Sequence, residues 1–227
     1  MEIQKVGLNI ASAVVEDRLA FIDTFQDESA MHSQPATPLL SLKFPDQPLT
    51  GFASLLQHGI LFPVQQPVPL VPFLLSLPGF TAEYIEQTVQ TIFINGEPAD
   101  SLQRELGAGT TLALSAAMPG LAGAIFRRQG VHGSLRTRPP EQDRTAGVQE
   151  GYLTLKLFNS IAFERVGDLL TQGILITGKA WQQFAAMHGT QLQPPCTMAL
   201  DGDAVDLQGL QQRIAASTML KVQAILL

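Results

Sequence analysis

The heptapeptide LLQHGIL at Leu55 to Leu61 returns as LLTQGIL at Leu169 to Leu175, identical at five of seven positions. Two further blocks recur in the same order. LSLKF at Leu40 to Phe44 matches LTLKL at Leu153 to Leu157, and TIFINGEPAD at Thr91 to Asp100 matches TMALDGDAVD at Thr197 to Asp206. A weaker fourth block pairs Thr110 to Leu114 with Ser217 to Lys221. The first three offsets are 113, 114 and 106 residues, the last being smaller because 29 residues separate the second and third blocks in the first copy, against 21 in the second. A repeat of this length is one supersecondary unit used twice, and the order of its parts restricts the fold more than any single motif does.

Each block has a physical reading. Leu40 to Phe44 and Leu153 to Leu157 alternate apolar and polar residues, the period of a half-buried strand. Helical stretches follow at 49–58 and 163–172, ending at Gly59 and Gly173, where glycine is expected in the left-handed conformation after a helix. Short strands come next, at 60–62 and 174–177. A second helix starts at Thr81, a residue whose hydroxyl caps free amides, and runs to about 88; its counterpart, 178–187, holds Trp181. Asn95-Gly96 and Asp201-Gly202 are type I′ hairpin dipeptides, because both central positions need positive φ. Final strands are expected at 111–116 and 218–226. The unit therefore reads β-α-β-α-β-β-β, an α/β class leaning towards α+β, with mixed sheets, helices packed on a face, and copies related by a pseudo-twofold axis.

The repeat sets the expected boundaries. Residues 1–35 precede it, with a helix between Asn9 and Thr24. The first copy spans 36–126 and carries an insertion at 63–79, a linker rich in Arg, Gly and Pro occupies 127–151, and the second copy covers 152–227. The stretch from Gly59 to Phe80 is strongly apolar, yet its five prolines would leave backbone carbonyls unpaired in lipid, so it is not expected to span a membrane. No secretory leader is evident, and a soluble, cytoplasmic protein is expected. The sole cysteine, Cys196, permits no intrachain disulfide and is expected to be a small buried hydrophobe.

Only 15% of residues are charged while 45% are apolar, well below the usual quarter charged. Such a chain is expected to bury surface against a homo-oligomeric or other protein partner, with Val71, Phe73 and Leu74 of the insertion as the interface. A formal charge of −6 and a pI near 5.1 argue against nucleic acid as a partner.

The chemistry-bearing residues are sparse. Arg127, Arg128, Arg136 and Arg138 cluster in the linker with Arg144, and forked guanidinium groups suit carboxylate or phosphate ligands. The small-residue run from Ala116 to Ala124 allows a close backbone approach but lacks the Gly-Lys-Ser/Thr of a phosphate-binding loop. His32, His58, His132 and His188 show no metal-ligand spacing, and neither a metal nor a cofactor is expected. Ser115 and Ser134 have no nucleophile-elbow context. Asp100 and Asp206, in matching places after the hairpins, read as turn or capping residues. Ile94-Asn-Gly-Glu97, Leu106-Gly107 and Pro119-Gly-Leu-Ala-Gly123 resemble the second half of the β-grasp sulfur carriers of the molybdopterin-synthase small-subunit type. That resemblance implies a partly β-grasp-like topology. Its carrier function needs a free C-terminal Gly-Gly, where this sequence has Ile225-Leu226-Leu227.

Two functions of different class are consistent with these residues. The first is a non-catalytic binding or assembly protein. The alternative is an enzyme acting on an anionic small molecule in the cleft between the copies, gripped by Arg127, Arg128, Arg136 and Arg138.

Overall fold

The structure, a computed structural model, describes residues 37–45, 49–99, 101–117, 120–128 and 150–226. The apolar–polar alternation read in the sequence builds a single mixed sheet of ten strands. In chain order these are β1 (Leu39–Phe44), β2 (Ile60–Val64), β4 (Thr91–Ile94), β5 (Glu97–Pro98), β7 (Thr111–Ser115), β8 (Gly151–Phe158), β9 (Ile174–Thr177), β10 (Thr197–Leu200), β11 (Asp203–Val205) and β12 (Met219–Leu226). Two short strands, β3 (Val68–Pro69) and β6 (Glu105–Leu106), pair apart from it. The helices are α1 (Ala53–His58, after a 3-10 turn at Leu49–Phe52), α2 (Leu70–Ser76), α3 (Ala82–Gln87), α4 (Gly120–Phe126), α5 (Asn159–Gln172), α6 (Gly178–His188) and α7 (Leu207–Arg213).

Across the sheet the order is β11-β10-β1-β12-β9-β2-β8-β7-β4-β5. The two halves of the sequence interleave. β1 runs parallel to β12, and β7 runs parallel to β8, so each parallel pair joins the first strand of one half to the last strand of the other. At the centre β2 and β9 are antiparallel, with Leu61 opposite Leu175. These are the matching final leucines of the two heptapeptides. Strand directions are symmetric outward from that pair. Sequence equivalence is not, because β1 is third from its edge whereas β8 is fourth from the other.

Both hairpins form as the dipeptides require, with φ of 54° at Asn95 and Asp201, 83° at Gly96 and 93° at Gly202. Each first turn residue also fastens the neighbouring strand. Asn95 Oδ1 accepts from Thr111 N at 2.8 Å, and Asp201 Oδ1 accepts from Leu39 N at 2.8 Å. Their own amides donate back to the Thr111 and Leu39 carbonyls at 2.8 and 2.9 Å.

One face of the sheet is the core. Leu40 and Leu42, Leu153, Leu155 and Leu157, and Leu220 and Val222 are fully buried there. α1 packs on β8 and on α5, and α5 packs on β12, which places these helices on that same face. A run of aromatic rings fills the space beneath them. Phe44 meets Phe52 edge-on at 5.4 Å, Phe52 stacks on Phe184 at 4.9 Å, and Trp181 lies 5.7 Å from Phe184. Ridges of this kind dominate core energetics because each aromatic buries a large apolar area.

Several sequence expectations are corrected. Gly59 and Gly173 have φ of 119° and 99° but ψ of 134° and 131°, so each leaves its helix straight into an extended strand and not through the left-handed helical region. The chain thus gains a sharp reversal that only glycine tolerates. α5 begins at Asn159, earlier than the periodicity indicates, and α7 stands where a direct hairpin-to-strand connection was read. The insertion, expected to present Val71, Phe73 and Leu74 as an interface, is tied into the fold, since β3 pairs with β6 and Leu70 N donates to Arg104 O at 2.8 Å. The segment with the sulfur-carrier resemblance supplies the β4–β5–β7 edge of the large sheet and no separate grasp-like sheet. The helix expected at Asn9–Thr24 lies outside the described residues.

Candidate functional site on the second face of the sheet

Side chains alternate across a strand, so burying Leu40, Leu155 and Val222 turns Leu39, Ser41, Lys43, Thr154, Lys156, Lys221 and Gln223 to the opposite face. The register aligns them in a row spanning the sheet. Asp201 and Leu39 stand at one end, then Lys221, Leu175, Leu61, Thr154 and Thr111, with Asn95 at the other. Leu39, Lys221, Leu175, Leu61, Thr154 and Thr111 are all half-buried. None is sealed in the manner of the core face.

The charge of this face departs from that of the chain. It carries Lys43, Lys156 and Lys221, three of five lysines in the sequence. Among the described residues, no strand side chain directed to this face is Asp or Glu. Asp201, at the turn closing the row, accepts from the Leu39 amide. A chain of net charge −6 therefore keeps a lysine-bearing face whose described strand residues include no acid.

Glycines shape two notches in it. A Cβ at Gly59 would lie 2.7 Å from Thr154 Cγ2 and 3.4 Å from Lys156 Cε, and one at Gly173 would lie 3.4 Å from Lys221 Cε. The two lysine stems thus rest against backbone where a side chain is missing, and a long apolar stem covering surface while its ammonium reaches water is the usual arrangement for lysine. α4 approaches the β4 corner of this face, where Phe126 packs against Phe93 at 5.5 Å. Close by, Asn159 Nδ2 donates to Ser115 Oγ at 2.8 Å, and φ at Asn159 is 54°. That bond ties the end of β7 to the start of α5 and gives Ser115 a structural partner.

The residues singled out from sequence are distributed differently. Arg127 is exposed at the end of α4, whereas Arg128 turns inward, donating from Nη2 to Ile85 O at 3.2 Å and from its amide to Gln90 O at 2.7 Å. Arg136 and Arg138 lie outside the described residues, as does Asp100. In the insertion, Phe73 and Leu74 are fully buried in the chain's own core, Phe73 edge-on to Phe62 at 5.1 Å, and Val71 is partly exposed. Of the three, Val71 alone keeps surface for a partner. His58 Nδ1 is 2.7 Å from Ser54 O within α1, and Asp206 caps α7 by accepting from Gly209 N at 2.7 Å.

Two other titratable groups are built into the frame. Tyr84 donates its hydroxyl to Glu164 at 2.6 Å with the Arg165 guanidinium 4.2 Å from its ring centre, and burial followed by the Glu164 bond pushes that hydroxyl up to about 12. Arg165 also donates to Gly79 O at 3.0 Å, so this cluster fixes α3 to α5. Cys196 is buried, and burial raises its thiol to about 11. Since the thiolate is the reacting species, its rate with a disulfide reagent is expected to stay low at pH 9, where a free cysteine is half ionised, and to rise only towards pH 11 or on unfolding. Stopped-flow titration of the folded chain against the same chain in denaturant measures this.

The lysine-bearing face is what the sequence reading missed. Its signal was present in part, since the polar positions of LSLKF and LTLKL hold Ser, Thr and Lys but no acid. Seeing it requires knowing which strands share a face. No family model, curated protein or solved structure matches the chain. Among the described residues there is no group of three or more His, Cys, Asp or Glu able to hold a metal, and no helix long and apolar enough to cross a membrane.

Proposed function

We propose that this chain is a non-catalytic binding or assembly protein whose contact surface is the second face of the ten-stranded sheet. The observation carrying this reading is the row Leu39, Lys221, Leu175, Leu61, Thr154: leucines at the centre of a broad sheet, half-buried and bordered by lysines, with no acid among the described strand residues of that face. Antiparallel and mixed sheets commonly leave one face to solvent, but that face is then polar throughout. A central apolar strip is surface that a partner would cover. The partner is another protein chain or a second copy of this one.

The reading includes an origin by duplication, with the halves related about an axis through the Leu61–Leu175 pair. Supporting it are the matching leucines meeting at the centre, the reciprocal parallel pairs β1–β12 and β7–β8, and the equal locking roles of Asn95 and Asp201. The exchanged places of β1 and β8 would then be a departure acquired after duplication.

The test is the double variant Leu61→Thr/Leu175→Thr, which removes the apolar strip and keeps β-branched residues suited to strands. Wild type and variant, tagged identically and purified from the native host, are compared by sedimentation velocity and by stoichiometric co-purification. Loss of a defined partner or of a self-associated species in the variant, at unchanged circular dichroism, supports the reading. Identical sedimentation and identical co-purifying chains in both would overturn it.

A further inference from the structure

We propose that the second face of the sheet takes an extended acidic segment of polypeptide, in which carboxylates four residues apart flank an apolar side chain. This inference rests on the reading of that face as the contact surface, and adds the chemistry of what it binds.

Three observations carry it. The first is charge. Lys43, Lys156 and Lys221 stand on this face, and no strand residue directed to it is acidic among the described residues. In a chain of formal charge −6, such a face is complementary to an anion and repels none of its approach.

The second is spacing. Lys221 lies on β12 and Lys156 on β8, with β9 and β2 between them. Three strand intervals are about 14 Å, and Lys156 stands two residues along β8 from Thr154, the residue in register with Lys221, so the two Cα positions are about 16 Å apart on the diagonal. In an extended chain, residues i and i+4 point the same way and lie about 13 Å apart. A segment crossing the strands obliquely therefore brings two carboxylates to the two lysines, the flexible Lys and Glu side chains spanning the remaining few ångströms. Its residue i+2 points in the same direction and falls on Leu175 and Leu61, which occupy the middle of that interval.

The third is the kind of apolar surface. The centre is aliphatic, formed by Leu61 and Leu175. Single-stranded nucleic acids are held by aromatic platforms and by arginine planes, whereas the aromatic residues of this face stand off the central row, Phe93 packed on Phe126 and Tyr152 and Phe158 along β8. The lysine stems over Gly59 and Gly173 lie along the backbone, which keeps the centre shallow enough for a main chain to cross. An acidic and aliphatic polypeptide fits these features better than a polynucleotide.

The experiment uses the full chain and two synthetic peptides, one repeating Glu-Ser-Leu-Ser and one repeating Gln-Ser-Leu-Ser, titrated by fluorescence anisotropy in low and moderate salt. The Glu peptide is expected to bind at least tenfold more tightly than the Gln peptide, and to weaken as salt rises. Lys43→Gln/Lys156→Gln/Lys221→Gln should lose at least tenfold, Lys43→Arg/Lys156→Arg/Lys221→Arg should keep binding within about threefold, and Arg127→Gln/Arg136→Gln/Arg138→Gln should match wild type. Retention of circular dichroism and melting temperature in each variant excludes misfolding. Equal affinity for the two peptides, or loss of binding through the arginine variant in place of the lysine variant, would overturn the proposal. A thymidine oligonucleotide binding more tightly than the Glu peptide, with the same dependence on the lysines, would also overturn it in favour of nucleic acid. Should both peptides fail to bind while Leu61→Thr/Leu175→Thr still abolishes a native association, the surface stands and the acidic chemistry falls.

Discussion

Gly178→Ala should lower stability by about 3 kcal/mol and the melting temperature by about 6–12 °C. Gly178 opens α6, and a Cβ there would lie 2.0 Å from Ala215 O and 2.9 Å from Ile214 Cγ2. The obstruction is backbone, not the end of a flexible side chain. It is also held in place, since Gly178 N donates to Thr218 O at 2.7 Å, Lys179 N to Ala216 O at 2.9 Å and Thr218 N to Ala215 O at 3.0 Å. A methyl group must break this clasp between α6 and the turn before β12. Gly167 provides the opposite case. It lies within α5 with nothing inside 4 Å of an added Cβ, so Gly167→Ala should raise stability by up to about 1 kcal/mol through helix propensity. Paired thermal melts of the two variants measure both signs, and a Gly178→Ala protein as stable as wild type would contradict the packing of α6.

Trp181→Ala should cost about 3–5 kcal/mol, the usual range for deleting a buried large aromatic. Trp181 is fully buried beside Phe184, which in turn stacks on Phe52. Removing the indole therefore opens a cavity at the end of the aromatic run joining Phe44, Phe52 and Phe184. The indole Nε1 has no hydrogen-bond partner among the described residues. Trp181→Phe sheds that unpaired donor along with part of the ring, so its loss should be clearly smaller than that of the alanine variant. Chemical denaturation at constant slope separates the two. Equal losses would mean that the six-membered rings are not interchangeable in this space and that the unpaired N–H carries little penalty.

The strands and turns were legible because their signals are local. LSLKF and LTLKL alternate, and Asn95-Gly96 and Asp201-Gly202 specify their turn type by themselves. The order of strands was not legible, since nothing in β1 states that its neighbours are β10 and β12. Pairings at such separation are set by which faces can be buried together. α7 was missed because its segment, Leu207 to Arg213, holds a single buried residue, Leu210, too few for a helical period. Its start was readable at Asp206, which sequence reasoning identified as a capping or turn acid.

The candidate site was less legible than the frame. Lys43 and Lys156 were written into the repeated block, but each appears there as an ordinary polar position of a strand. Only the sheet order brings them to one face with Lys221. Val71, Phe73 and Leu74 attracted notice because apolar residues among prolines suggest an exposed strap, whereas β3–β6 pairing folds that strap inward and buries two of the three. The arginines were conspicuous by number, yet Arg128 is engaged with the carbonyls around α3 through its side chain and amide.

The shared surface depends on β2 and β9 being neighbours, with Leu61 opposite Leu175. The direct measurement is disulfide formation in Leu61→Cys/Leu175→Cys, made in a Cys196→Ala background so that no other thiol competes. Directly opposed strand residues meet the distance a disulfide needs, and both positions are accessible enough for an oxidant. Mild oxidation should give an intramolecular crosslink in nearly all molecules. Closing a loop of this length should then raise stability by about 4–5 kcal/mol relative to the reduced form. Thiols that stay reduced, or that crosslink only between molecules, would contradict the central pairing and with it the surface assigned to binding.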